Sequence, residues 1–140
     1  MDRTATAVWR GTGKEGKGQL STQSGTLSDT PYSFVSRFEQ GDGTNPEELI
    51  AAAHAGCFTM KLSFLIVGEG LEADRLETTC TVKLGDDGVT NSDLVLTASI
   101  PGMSDEVFEK IVAEAAETCP ISKILDVDIS VEAQLVVVSD

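Results

Sequence analysis

The chain is short of basic charge, of cysteine and of histidine, and each shortage argues against a class of function. Ten lysines and arginines stand against 23 aspartates and glutamates, giving a formal net charge of −13 and a sequence pI near 4.3. Such a charge repels phosphate backbones and anionic membrane surfaces, so neither nucleic acid nor a membrane is expected as a partner. The three cysteines, Cys57, Cys80 and Cys119, are odd in number and widely spaced, unlike the dense, even pattern of a disulfide-stapled secreted domain. No CxxC occurs, which weakens a thioredoxin-like reading. The single histidine, His54, and three scattered thiols offer no spacing for a structural zinc site. Met1 to Thr4 does not lead from a basic segment into an apolar stretch, and a cytoplasmic location is expected.

What is present suits one domain spanning residues 1–140: hydrophobic residues make up 41% and charged residues 24%, and mean hydropathy is +0.01. Thr4 to Arg10 and Gln19 to Ser24 read as a hairpin about a glycine-studded turn, with a third strand over Tyr32 to Phe38. Asn45 caps a long helix that opens at Pro46 and runs to about Val67. It is apolar on nearly every side, but His54, Thr59, Lys61 and Ser63 interrupt it, so a core helix is expected rather than a membrane span. A chain of this size can hardly surround such a helix, which favours a second copy. Leu76 to Leu84 and Asp93 to Ile100 form a second hairpin about Gly85 to Gly88. Ser104 then caps a helix ending near Cys119-Pro120. Ile121 to Leu125 suits a short helical turn, and Ile129 to Val137 alternates as a closing strand. This order argues α+β.

Gly11 to Gly18 carries the letters of a dinucleotide fingerprint and most of a phosphate loop. Its context is wrong: a nucleotide loop opens a helix, whereas Gln19-Leu20-Ser21-Thr22 looks like a strand. Cys57, in the small-residue stretch Ala52-Ala53-His54-Ala55-Gly56-Cys57-Phe58, reads from the residues alone more readily as a buried packed thiol than as one in a reactive pocket. Pro120 can start a helical turn behind Cys119, an N-terminal placement that favours thiolate. His54 and Cys80 read as packing residues.

Four blocks occur in order: Arg37-Phe38-Glu39, Gly43-Thr44-Asn45-Pro46-Glu47-Glu48-Leu49-Ile50, the stretch around Cys57, and Cys119-Pro120-Ile121-Ser122. Together they resemble the OsmC/Ohr family, its OsmC branch most closely, over nearly the whole chain. The resemblance implies an intertwined α+β homodimer whose antiparallel sheets wrap around a long central helix. It also implies a thiol peroxidase that reduces organic hydroperoxides without cofactor, metal or haem and is regenerated by an external dithiol of lipoyl type. A non-catalytic ligand-binding or scaffold protein of the same fold is the alternative.

Carried over residue by residue, the resemblance makes Cys57 the peroxidatic thiol, Cys119 the resolving thiol, Arg37 the partner of thiolate and peroxide, and Glu48 the carboxylate that orients Arg37. Read without it, Arg37 is a surface arginine and Glu48 belongs to a capping box with Asn45. Phe58 and Met60 are expected to receive the alkyl tail of the substrate. Glu48 and Cys57 are nine residues apart, about 13.5 Å of rise on a straight helix and on opposite faces, so a shared site is expected to draw them from two subunits.

Overall fold

Short polar loops close two separate sheets in this computed structural model, which describes residues 1–39 and 41–137. The chain divides into two compact units, Met1–Leu49 and Ile50–Asp140, and the fold is α+β.

In the first unit β1 (Ala5–Arg10) pairs antiparallel with β2 (Lys17–Thr22), and β2 with β3 (Thr30–Tyr32). The glycine-rich segment is thus a hairpin connection. Gly18 sits where a side chain would strike both Trp9 and Tyr32, whose rings lie 5.4 Å apart. The expected strand over Tyr32 to Phe38 is corrected, because Phe34–Phe38 forms the short helix α1. Ser33 accepts the Ser36 amide at 3.2 Å while the Ser36 hydroxyl accepts the Ser33 amide at 2.7 Å. This reciprocal cap outweighs the strand preference of Phe34 and Val35.

Helix α2 (Pro46–Gly68) begins as expected, with Asn45 Oδ1 accepting the Glu48 amide at 2.7 Å. Its length and hydropathy would suffice to cross a membrane, but the helix has two unlike faces. His54, Phe58, Leu62 and Ile66, four residues apart, are wholly buried, whereas Met60, Phe64 and Val67 are 64%, 69% and 64% exposed. The buried stripe packs in one cluster with Leu94, Leu96, Ala98 and Ile100 and with Phe108, Ile111, Val112 and Ala115. Each large apolar side chain removed from water there contributes about 1.5–3 kcal/mol.

In the second unit β4 (Arg75–Gly85) and β5 (Gly88–Ser99) form the expected hairpin, although β5 starts five residues before the patterned run at Asp93. Helix α3 (Asp105–Thr118) is capped by Ser104, and α4 (Pro120–Ile124) follows. The last strand, β6 (Asp128–Leu135), corrects the expectation of purely antiparallel sheets: it lies parallel to β5. The helical crossover returns the chain to the starting end of β5, and the pairing that follows must be parallel.

The loop leading from Gly41 into α2 is held closely. Gly43 has φ +91°, and a Cβ there would run into the Pro31 carbonyl, whose oxygen already accepts the Thr44 amide at 2.9 Å. Gly43→Ala is expected to destabilise the protein by about 1–3 kcal/mol. Urea unfolding followed by Trp9 fluorescence measures this, and an unshifted midpoint would mean that the loop is not fixed in this conformation.

Candidate active site

In the first unit the last helical turn of α1 carries Arg37 and the first turn of α2 carries Glu47 and Glu48. Arg37 forks onto Glu47: Nε donates to Oε1 at 3.0 Å and Nη2 to Oε2 at 3.1 Å. Glu47 is nearly buried, with a side chain 11% exposed, while that of Arg37 is 43% exposed. The expectation that Glu48 orients Arg37 is therefore corrected in favour of its neighbour. Glu48 instead accepts the Thr44 hydroxyl at 2.7 Å, and its amide is spent on the Asn45 cap. Adjacent helical residues point about 100° apart, so only one of two successive glutamates can face a given guanidinium. The sequence motif holds both and does not say which.

In the second unit the two thiols assigned by resemblance come together. Cys57 is half-buried on α2, Cys119 is wholly buried, and the two are free thiols close enough for each to shift the other's acidity. Cys119 occupies the junction of α3 and α4: its amide donates to the Ala115 carbonyl at 3.0 Å and its carbonyl accepts the Lys123 amide at 3.1 Å. Pro120 explains the break, because a residue before proline is driven out of helical geometry, here to φ −57°, ψ 124°.

The pair is electrostatically unequal. Burial pushes the Cys57 thiol up, the bond to Cys119 pushes it further, and the Ile121 amide and Lys61 offset only part of this. Burial acts on Cys119 in the same direction, but hydrogen bonds from Cys57, from the Ser122 amide and hydroxyl and from the Ile121 amide hold it below the ordinary thiol range. The expectation of a thiolate-favouring Cys119 thus has a local cause.

His54 and Cys80, read from sequence as packing, are hydrogen-bonded instead. His54 is wholly buried between two serines, Nδ1 lying 2.6 Å from Ser92 Oγ and Nε2 2.8 Å from Ser122 Oγ. Cys80 Sγ lies 3.2 Å from Ser92 Oγ, and burial pushes its thiol up. Ser92 and Ser122 escaped the sequence reading because a serine in a strand or at a helix start is ordinary. The signal was the spacing of Ser122, three residues after Cys119 across a proline. Phe58 lies in the core and is unavailable to line a substrate site, so the assignment of an alkyl-tail role to Phe58 is corrected. Among the described residues no cluster of three or more His, Cys, Asp or Glu side chains is placed to hold a metal ion.

Residues 39–134 match the family model of OsmC-like protein. The chain belongs to that family. Peroxiredoxin OsmC of Escherichia coli strain K12 is 42% identical over 133 residues, covering 92% of this chain and 93% of that protein. Organic hydroperoxide resistance protein-like 1 of Staphylococcus saprophyticus is 36% identical over 101 residues, 69% of this chain and 71% of the relative. The crystal structure of the organic hydroperoxide resistance protein OhrB of Bacillus subtilis superposes with a TM-score of 0.63 at 26% identity, covering 95% of this chain and 98% of that one. The OsmC-like fold is thus common ground between pattern and structure.

Burial makes His54 reluctant to ionise, holding it below its ordinary value of 6.5. Below that value the unfolded chain binds a proton that the folded chain refuses, so stability rises with pH across this window and is lost as the solution is acidified. The urea midpoint is expected to fall between about pH 6.5 and about pH 5, more steeply in the wild type than in His54→Gln. Equal slopes would mean that His54 is not the acid-sensitive group.

Proposed function

We propose that the protein is a cysteine-based peroxidase that reduces organic hydroperoxides to alcohols through a Cys57 sulfenate and a Cys57–Cys119 disulfide. The observation that carries this reading is the pair of neighbouring free thiols with one member accessible and the other buried. The names of the relatives, a peroxiredoxin and organic hydroperoxide resistance proteins, support the same chemistry.

Acidity and access point to different members of the pair as the first nucleophile. Cys119 is the more acidic thiol, but it is wholly buried and a hydroperoxide bearing an alkyl group cannot reach it. Access decides for Cys57. Its thiolate attacks the distal peroxide oxygen, the O–O bond breaks, and the alkoxide leaves and is protonated to the alcohol. Cys119 then attacks the sulfenic sulfur, water is released, and a dithiol, proposed to be lipoyl in type, reopens the disulfide.

Because burial and Cys119 both oppose ionisation of Cys57, this scheme needs a cation. We assign that role to Arg37 on its match to the family motif. A guanidinium both favours the thiolate and stabilises the departing alkoxide. The Glu47 fork engages Nε and Nη2 but not Nη1, which suits an arginine held for a further partner. Glu48, the residue first assigned to orient Arg37, supports the loop through Thr44. A homodimer is proposed on the exposed apolar stripe of Met60, Phe64 and Val67.

Cys57→Ser is expected to abolish peroxide reduction, whereas Cys119→Ser consumes one equivalent and stops at a sulfenic acid trappable by dimedone. Turnover in Cys57→Ser, or a mapped disulfide to Cys80, would sink the scheme. Arg37→Lys and Glu47→Ala should each lower kcat/KM for an organic hydroperoxide by about tenfold or more, and Glu48→Ala by less. Steady-state kinetics with folding checked by circular dichroism tests this ranking, and a larger loss in Glu48→Ala than in Glu47→Ala would reverse the carboxylate assignment.

A further inference from the structure

The buried polar side chains His54, Ser92 and Ser122 of the second unit lie on one line. From Ser122, three residues past Cys119 in the first turn of α4, it runs to His54, Ser92 and Cys80, each hydrogen-bonded to the next, and Cys119 in turn neighbours Cys57. Three of its inner members, Cys119, His54 and Ser92, have no exposure and Ser122 has 7%. Among the described residues no buried side-chain nitrogen or oxygen lacks a partner. Water cannot substitute for a missing link in so closed a place, and each group therefore constrains its neighbour.

The constraint has a direction. A neutral imidazole owns one N–H, so His54 donates to one serine and accepts from the other. Each serine hydroxyl likewise owns one hydrogen. If Ser122 gives its hydrogen to the Cys119 sulfur, its oxygen is left to accept from His54 Nε2–H. Nδ1 then accepts from Ser92, and the Ser92 oxygen accepts from the Cys80 thiol. Reversed, Ser122 gives its hydrogen to Nε2 and has none for the sulfur. Only the first polarity supplies a hydroxyl donor to a Cys119 thiolate.

We propose that His54 is a positioning residue for disulfide closure: its Nε2–H holds Ser122 so that the hydroxyl hydrogen is aimed at the attacking Cys119 sulfur. This rests on the peroxidase reading above. The step it serves forms the S–S bond and breaks the S–O bond of the Cys57 sulfenic acid. The sulfenic sulfur is reduced and the Cys119 sulfur oxidised. Hydroxide leaves and takes up the proton that Cys119 gave, so that thiol and sulfenic acid yield disulfide and one water. The serine donor stabilises the Cys119 thiolate in a site that water does not enter, and His54 keeps that donor from turning away. Ser92 and Cys80 complete the chain by occupying Nδ1.

Single-turnover oxidation with tert-butyl hydroperoxide resolves sulfenate formation on Cys57 from closure with Cys119, and the ratio of the second rate to the first is the readout. Ser122→Ala and His54→Leu are expected to lower that ratio by about tenfold or more. Ser122→Thr, which keeps the hydroxyl, and His54→Gln, which keeps a donor near the place of Nε2, should recover most of it. The double variant should be no slower than the worse single one, because the two residues act as a unit. Ser122→Ala carries the test if His54→Leu does not fold. An unchanged ratio, rates falling in proportion, or additive losses in the double variant would overturn the proposal while leaving the peroxidase reading intact. A wild-type protein that forms no sulfenate on Cys57 would remove the peroxidase reading first, and this one with it.

Discussion

Proline cannot continue a helix, and the position of Pro120 governs the chemistry available to the second unit. It drives Cys119 out of helical geometry, ends α3 and starts α4 in the same residue pair. Had α3 run on, the sulfur would have stayed on a helix side among the leucines and valines of the core. At the break it meets Cys57 on one side and the Ser122 and Ile121 groups on the other. One backbone restriction thus both brings two thiols into contact and makes them unequal in acidity.

The pairing also requires that Cys57 be presented at the right turn of α2. Four residues at intervals of four, His54, Phe58, Leu62 and Ile66, lock the rotation of that helix against β5 and α3. Cys57 follows one turn after His54 and is carried to the edge of the buried stripe, reachable from outside yet touching Cys119. The helix face that packs the core and the face that presents Cys57 are therefore set by a single rotation. A substitution that slips Phe58 or Leu62 alters both.

Much of this was legible in the residues. The hairpin about Gly85 to Gly88, the Asn45 cap, the Ser104 cap and the break at Cys119-Pro120 were all local signals, and local signals survive folding when core packing agrees with them. The failures share a cause in competition at short range. Phe34 and Val35 favour a strand until Ser33 and Ser36 cap each other. Two successive glutamates are indistinguishable until the phase of the helix is known, and Arg37 chose Glu47. The direction of β6 depended on where the crossover delivered it, which alternation cannot encode. His54 was one turn from Cys57 in plain view, but its partners Ser92 and Ser122 are 38 and 68 residues away, and distance along the chain hid the network.

The parallel strand β6 has a consequence for the order in which the protein is made. The segment carrying Cys119 lies between β5 and β6, tethered at its far end only when Asp128–Leu135 has docked beside Asn91 to Ala98. That strand is synthesised after the segment it tethers. Closing so long a crossover is also entropically costly, so it belongs to late, slow folding. A nascent or partly folded chain therefore carries Cys57 and Cys119 without their mutual contact, as two ordinary thiols of unperturbed reactivity. The thiol pair comes into being with β6, and a chain that meets an oxidant earlier presents Cys57 and Cys119 as separate thiols.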